Sequence, residues 1–217
     1  MITMIGGIKG GTGKTTIATN LAVMRSASKN KVLLIDADEQ KTTVIWSNQR
    51  DSREVETNFT TVPLGGKALR TQLEKMKGDY DDIIIDVGGR ETTSLRAAIT
   101  ISDVWLIPFR PRSPDIWAID DISSVIVDMK PTNQKIKIFS ILNQADFSGS
   151  DNESSLSILQ DCEEFDCIEF TIGMRKSFPN AFTDGLGVIE MKIPDKKAVH
   201  EIKSLYDFVY NKCRSIV

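Results

Sequence analysis

A glycine-rich run that carries two lysines lies near the start of the chain: Lys9-Gly10-Gly11-Thr12-Gly13-Lys14-Thr15-Thr16. Glycine has no Cβ, so this backbone can wrap closely around a ligand and direct successive N–H groups at it. Lys14 adds a cation for the β- and γ-phosphates of a nucleotide, and Thr15 adds a hydroxyl for Mg²⁺. The pattern predicts that residues 9–16, here called the glycine-rich loop, bind nucleotide phosphates.

Acidic residues follow two strongly apolar runs farther along the chain. Asp36 and Asp38 come after the first run, and Asp86 comes after the second. Ligands of an open α/β sheet bind beyond the carboxyl ends of its strands, so these carboxylates are expected near the glycine-rich loop. Asp86 is suited to hold a water of the Mg²⁺ ion. An alternative for Asp36 and Asp38 is that they cap a helix starting near Lys41.

Two further segments contain candidates for contacts with a nucleotide. Gly88 and Gly89 follow Asp86, and they permit close backbone approach to a γ-phosphate and a change of dihedral angles after hydrolysis. Asn143 follows another strand-like run and offers both a donor and an acceptor to an adenine edge. The alternative for Asn143 is an ordinary turn asparagine.

The elements that must position these residues alternate along the chain. Apolar β-branched runs alternate with amphipathic segments of helical length, which predicts an α/β fold with a mostly parallel, doubly wound sheet and helices on both faces. The predicted strands are 2–8, 32–36, 59–63, 82–86, 103–108, 136–142 and 167–171. The predicted helices are 14–28, 41–51, 66–77, 92–101, 115–129, 152–164 and 195–214.

Length and composition suit one globular domain over residues 1–217. The 217 residues are 41% hydrophobic and 26% charged, with a formal net charge of −3. No basic leader or long apolar run precedes the first strand, so a cytoplasmic protein is expected. Cys162, Cys167 and Cys213 are interpreted as ordinary thiols rather than metal ligands, since the chain has a single histidine.

Lys9 gives the glycine-rich loop an unusual form. Ile8 stands where the common pattern G-x-x-x-x-G-K-[ST] has its first glycine, and a lysine follows it. This form resembles the deviant Walker A motif of the ParA/MinD family of P-loop ATPases. The resemblance implies binding of ATP with Mg²⁺ and an ATP-dependent homodimer, in which Lys9 reaches the nucleotide of the other subunit.

The same resemblance assigns roles to the acidic segments. Asp36 to Gln40 is similar to the family's D-x-D-P-Q switch, with Glu39 where proline is common. By that match Asp38 positions the attacking water, and Asp36 helps to hold the hydrated Mg²⁺. Pro194, shortly before the last predicted helix, resembles part of the family's loop that flanks the nucleotide base.

The implied roles fall into four sets. Catalytic residues are Lys9, Lys14 and Asp38. ATP contacts are the eight residues of the glycine-rich loop, Asn143 and Pro194. Metal contacts are Thr15, Asp36 and Asp86. The switches contain Asp36, Asp38, Gln40, Asp86, Gly88 and Gly89.

The C-terminal part resembles that of short plasmid partition ParA proteins. From Thr171 onward the chain carries eight basic against five acidic residues. The resemblance implies slow, partner-stimulated ATP hydrolysis, binding to non-specific DNA, a centromere-binding adaptor and a nucleoid-associated location. The DNA-binding candidates are Arg175, Lys176, Lys196, Lys197 and Lys203. The alternative is that these are ordinary solvated side chains.

Three competing functions remain open from the sequence. A MinD-like ATPase would dock on a membrane through its last helix, but residues 205–217 carry only two cations and favour packing on the domain, so no membrane partner is expected. A ParA-like positioner of another cellular cargo would use the same DNA-binding surface. A metabolic ligase on this scaffold is disfavoured by Lys9.

Overall fold

The computed structural model describes residues 1–215, apart from the side chains at positions 113, 114 and 215. Eight strands form a parallel sheet in the order β3-β2-β4-β1-β5-β6-β7, with β8 paired to β6. The strands are β1 (Ile2–Ile5), β2 (Val32–Asp36), β3 (Phe59–Pro63), β4 (Asp82–Asp86), β5 (Val104–Phe109), β6 (Lys137–Ala145), β7 (Asp166–Cys167) and β8 (Ile172–Gly173). The predicted α/β class and parallel sheet are confirmed.

Helices cover both faces of the sheet. The α-helices are α1 (Lys14–Ala27), α2 (Thr42–Ser52), α3 (Ala68–Met76), α4 (Thr93–Ile99), α5 (Ser113–Ile116), α6 (Ile119–Met129), α7 (Ser150–Gln160), α8 (Ser177–Thr183) and α9 (Lys196–Asp207). A π-helical turn, Phe208–Lys212, and a 3-10 turn, Cys213–Ser215, continue α9. Among residues 1–215, no helix is long and apolar enough to cross a membrane.

The central strands have the composition expected of a sheet buried on both faces. Every residue of β1, β2, β4 and β5 is buried. One apolar core includes Leu69 of α3 and Leu95 of α4, and the other includes Leu21 of α1 and Ile202 of α9. Because both faces are covered, these strands are nearly continuous apolar runs.

The predicted bounds are exact for β2, β3 and β4, and they differ elsewhere. The first strand ends at Ile5, because the turn to the glycine-rich loop begins at Gly6. The last predicted strand, 167–171, is instead two short strands, β7 and β8, on either side of a break. Shortness removes the periodicity by which a strand is recognised.

Two helical predictions are corrected as well. The segment 115–129 is divided into α5 and α6, and α8 was not predicted at all. Pro179 lies in the first turn of α8, where a helix tolerates proline. In the sequence, this proline argued against a helix.

The C-terminal segment packs on the domain, as predicted. Val209, Tyr210 and Cys213 are buried in the core under α1 and α9. The last two residues of this segment, Ile216 and Val217, lie outside the described residues.

Candidate nucleotide-binding site

The glycine-rich loop connects β1 to the start of α1 and uses two left-handed backbone conformations. Gly11 has φ 75° and Gly13 has φ 87°, a region that favours glycine. A Cβ added at Gly13 would lie 2.2 Å from Nδ2 of Asn143, so a side chain is also excluded for lack of space. The N-terminus of α1, a 14-residue helix, begins directly after Gly13 and adds its positive dipole end to the loop.

Lys14 is buried beneath this loop. Its Nζ donates a 2.6 Å hydrogen bond to the main-chain oxygen of Lys9. Burial lowers the pKa of Lys14, and the nearby carboxylates of Asp86 and Asp38 act in the opposite direction. The Lys14 ammonium, held near these carboxylates, can bind a nucleotide phosphate. The side chain of Lys9 itself is exposed.

The predicted acids meet because β2 and β4 are neighbours. Asp36 and Asp86 lie opposite each other in the parallel register. Burial raises the pKa of Asp86 to about 7, while hydrogen bonds from Thr43 and Thr15 favour its ionised form. The Thr43 Oγ1 donor lies 2.7 Å from Oδ2 of Asp86. Thr43 was not identified from the sequence, since a threonine at the start of a helix carries no distinctive local signal.

Asp36 performs the capping role that the sequence left as an alternative. Its Oδ2 accepts a 2.9 Å hydrogen bond from the backbone N–H of Val44 in the first turn of α2, and its Oδ1 accepts one of 3.1 Å from that of Asp38. Burial raises the pKa of Asp36. The carboxylate still lies beside Asp86, so capping does not remove it from the site.

The donor set fits Mg²⁺. The Thr15 hydroxyl and the carboxylates of Asp36 and Asp86 are hard oxygen ligands, which this ion prefers. Thr15 also favours the ionised form of Asp86, so these two groups lie close together. The ion would neutralise phosphate charge when bound.

The two switch segments contact each other and the loop. A Cβ added at Gly88 would lie 3.0 Å from Cγ of Asp38, and one added at Gly89 would lie 2.6 Å from the main-chain oxygen of Lys9. The carboxylate of Asp38 also accepts a 3.0 Å hydrogen bond from the backbone N–H of Gln40. The site therefore joins three segments that are far apart in sequence.

Cavities flank the glycine-rich loop. A polar cavity of about 610 Å³ is lined by Lys14, Asp38, Gly88, Gly89 and Gln144, among others. An apolar cavity of about 670 Å³ is lined by Asn143, Met174, Phe178, Pro179 and Phe182, among others. Both are of the size that accommodates small ligands. The polar cavity suits a triphosphate, and the apolar cavity suits a base.

A family model described as the CobQ/CobB/MinD/ParA nucleotide binding domain matches residues 3–202. The chain belongs to this family. Its suspected resemblance to ParA/MinD proteins is thereby confirmed.

One relative and two solved structures match this chain over nearly its whole length. Maintenance of carboxysome distribution protein A of Halothiobacillus neapolitanus is 24% identical over 211 residues, 94% of each chain. An ATP complex of McdA from Cyanothece has a TM-score of 0.79 at 16% identity, covering 100% of this chain and 96% of its own. A putative plasmid partition protein from Borrelia burgdorferi, bound to AMPPNP, has a TM-score of 0.76 at 21% identity, covering 97% and 98%.

Two ATP contacts predicted for this CobQ/CobB/MinD/ParA domain are placed differently from expectation. Pro194 is exposed and lies outside the lining of the apolar cavity, where Met174 and Pro179 are found instead. A contact between Pro194 and the base stays a prediction. Asn143 does line that cavity, but its Nδ2 donates a 2.7 Å hydrogen bond to the main-chain oxygen of Thr12. One of the two N–H donors of the Asn143 amide is therefore engaged within the protein.

The predicted DNA-binding residues divide into two groups. Arg175 lies in the apolar cavity lining and forms an ion pair with Glu201, with Nε 2.9 Å from Oε2, so its charge is neutralised within the domain. Arg175 thus differs from the four lysines, and its contact with DNA stays a prediction. The four lysines are exposed: Lys176, Lys196, Lys197 and Lys203. Lys197 lies 5.8 Å from the ring centroid of Phe147, which is 94% exposed.

Proposed function

We propose that this chain is a ParA-type ATPase that hydrolyses ATP slowly, forms an ATP-dependent homodimer and binds non-specific DNA. The observation that carries the proposal is the convergence of buried Lys14, the buried acid pair Asp36 and Asp86, and Asp38 around the glycine-rich loop. Phosphoryl transfer requires positioning and charge neutralisation, and these groups supply both. The bound nucleotides of the Cyanothece and Borrelia burgdorferi structures support ATP as the substrate.

Slow turnover is expected because, in a single subunit, the part of the site where hydrolysis would occur is open to solvent. Asp38 lies at the polar cavity and is the candidate for orienting the attacking water. Lys9 is exposed, and within residues 1–215 no hydrogen bond or ion pair holds its ammonium. A second subunit that covered this face would exclude water and gain the Lys9 cation, so dimerisation and hydrolysis are expected to be coupled.

DNA binding is proposed for the lysines around the start of α9. Lys196 and Lys203 are seven residues apart, which is two turns of one helix face. Lys176 directly precedes α8, and Lys197 is the second residue of α9. Both side chains are exposed. A chain of net charge −3 can bind DNA through such a local group, because affinity depends on local phosphate neutralisation and counterion release. A cytoplasmic, nucleoid-associated location follows from this proposal.

The proposed cargo is a plasmid or chromosomal DNA region, recruited through a centromere-binding adaptor. A second candidate is a protein assembly, which the likeness to the carboxysome distribution protein over 94% of each chain favours. Both would use the same ATP cycle and the same DNA-binding lysines. A membrane-docked division-site ATPase is disfavoured, because Val209, Tyr210 and Cys213 at the C-terminal end are buried in the domain.

The decisive experiment is retention on non-specific duplex DNA and on anionic liposomes, with ATP or ADP, across a salt series. Salt-sensitive DNA binding that requires ATP is expected. A Lys196→Gln/Lys203→Gln variant should reduce the salt slope by about 1 per lysine. Exposed Lys75 and Lys77 on the α3 side provide the matched control pair, Lys75→Gln/Lys77→Gln, which should not change it.

Other outcomes of this experiment contradict the proposal. ATP-dependent liposome binding without DNA binding would indicate the membrane-docked ATPase. Failure to bind ATP, measured by calorimetry on the same preparation, would reject the ATPase assignment altogether.

A further inference from the structure

Two consecutive side chains at the end of β6 hold two consecutive carbonyls of the glycine-rich loop. Nδ2 of Asn143 donates a 2.7 Å hydrogen bond to the main-chain oxygen of Thr12. Nε2 of Gln144 donates one of 2.8 Å to the main-chain oxygen of Gly11. These bonds join positions more than 130 residues apart in sequence.

A regular strand could not make both contacts. Successive side chains of a strand point to opposite faces, so Asn143 and Gln144 would diverge. Gln144 instead has φ 55°, in the left-handed region that a side-chain-bearing residue rarely occupies. The ladder between β6 and β8 is also irregular between Asn143 and Ala145. The backbone is bent at the one position that brings both amides to the loop.

The two bonds orient the peptide groups of the loop. In a planar trans peptide, the C=O of one residue and the N–H of the next point in opposite directions. Holding the carbonyls of Gly11 and Thr12 against β6 therefore directs the N–H groups of Thr12 and Gly13 away from it. Within residues 1–215, no hydrogen bond uses either of these two N–H groups. They remain available to an anion.

We propose that Asn143 and Gln144 are positioning residues that set the phosphate-binding conformation of the glycine-rich loop before a nucleotide arrives. This role rests on the proposed nucleotide binding, and it differs from the adenine contact expected of Asn143. Gly13 fits the same arrangement, since its missing Cβ leaves the space that Nδ2 of Asn143 occupies. Gln144 lines both cavities, so it lies where the phosphate and base regions meet.

The test compares a ligand that has a base with one that has none. Gln144→Met removes the amide donor without adding charge, and its affinities for Mg²⁺-ATP and for inorganic tripolyphosphate are measured by calorimetry. If the amide organises the loop, both affinities should fall by the same factor, about 5- to 10-fold for one lost hydrogen bond. Gln134→Met, at an exposed site near the start of β6, is the matched control and should change neither affinity.

Two results would overturn the proposal. A loss of ATP affinity with unchanged tripolyphosphate affinity would mean that Gln144 contacts the base. Unchanged affinity for both ligands would mean that the bond to Gly11 does not organise the loop. If the wild-type protein binds neither ligand, the proposed function fails, and that outcome is distinct from the other two.

A second readout does not depend on a bound nucleotide. In the unliganded protein, amide hydrogen exchange and chemical shifts of Thr12 and Gly13 should change in Gln144→Met and stay unchanged in Gln134→Met. Asn143→Leu should give the same changes at Gly13. Because Asn143 is buried, its variant is interpreted only if its unfolding transition remains cooperative, and Gln144→Met decides the question otherwise.

Discussion

The hydroxyl of Thr43 donates a 2.7 Å hydrogen bond to the carboxylate of Asp86, which links the first turn of α2 to the end of β4. Both side chains are buried. Asp86 is the acid expected to hold a Mg²⁺-bound water, and α2 follows the first switch directly. The bond therefore connects a switch segment to the acid at the centre of the site.

The stability of the metal-free, nucleotide-free protein should depend on pH through Asp86. Burial raises the pKa of Asp86 to about 7, whereas its ordinary value is 3.8. The folded state thus binds this proton more tightly than the unfolded chain, so the free energy of unfolding should fall as pH rises between these values. The fall is on the order of 4 kcal/mol for this group. Urea denaturation at pH 5 and pH 8 measures the part of this fall that lies between those two values, about 3 kcal/mol.

Variants separate this effect from other titrating groups. Asp86→Asn should lose most of the fall with pH. Thr43→Val should raise the pKa of Asp86 further, because the Thr43 hydrogen bond favours the ionised form. Thr43→Ser keeps the hydroxyl and should behave like the wild type. An identical pH profile for Asp86→Asn and wild type would show that Asp86 does not titrate in this range.

Asp38→Ala should stop hydrolysis while leaving ATP binding and dimerisation intact. The carboxylate lies at the polar cavity and, by its position after β2, is the candidate for orienting the attacking water. Loss of such a group lowers turnover by about 10²-fold or more. Phosphate release at saturating ATP is the measurement, with the exposed acid variant Asp79→Ala as control. Turnover equal to wild type would reject the role of Asp38.

Lys9→Ala should retain ATP binding and lose the ATP-dependent dimer. The Lys9 contact with Lys14 uses the main-chain oxygen, which the substitution preserves, whereas the exposed ammonium is removed. Light scattering with ATP and with ADP measures the oligomeric state. Lys67→Ala, on another exposed lysine, is the control. Persistence of the ATP-dependent dimer in Lys9→Ala would refute the assignment.

Gly89→Ala should weaken ATP binding more than Gly88→Ala. A Cβ at Gly89 would meet backbone, the main-chain oxygen of Lys9 at 2.6 Å, so the second switch must move away from the loop. A Cβ at Gly88 would meet the Asp38 side chain at 3.0 Å, which can rotate. Gly78→Ala, with nothing within 4 Å, serves as control. Calorimetry with Mg²⁺-ATP ranks the three affinities, and equal affinities would contradict the close contact at Gly89.

Arg50→Met should destabilise the fold far more than Arg53→Met. Arg50 is buried, and its guanidinium binds Glu190 at 2.7 and 3.0 Å and the main-chain oxygen of Gly185 at 2.8 Å. Removing one partner of a buried pair costs about 3–5 kcal/mol. Arg53 pairs with Asp184 at the surface, where the loss is at most about 1 kcal/mol. Chemical denaturation measures both, and similar losses would contradict the prediction.

The local parts of the site were predictable from the sequence. The glycines and lysines of the glycine-rich loop act through backbone conformation and a single helix start, both of which are properties of neighbouring residues. Asp36 and Asp86 end buried strands whose apolar runs are continuous, so their meeting at one edge follows from the parallel sheet. The bounds of β2 and β4 were exact for the same reason.

The remaining relationships depend on contacts between distant segments. The ion pair of Arg175 with Glu201 spans 26 positions, and the bond of Thr43 to Asp86 spans 43. Arg175 belongs to a basic stretch in the sequence, yet folding places the Glu201 carboxylate beside it and leaves its side chain only 23% exposed. No local pattern specifies such a pairing, because it arises only when packing brings two elements within hydrogen-bond distance. The left-handed conformation of Gln144 has the same origin: tertiary contacts hold a backbone that local preference disfavours.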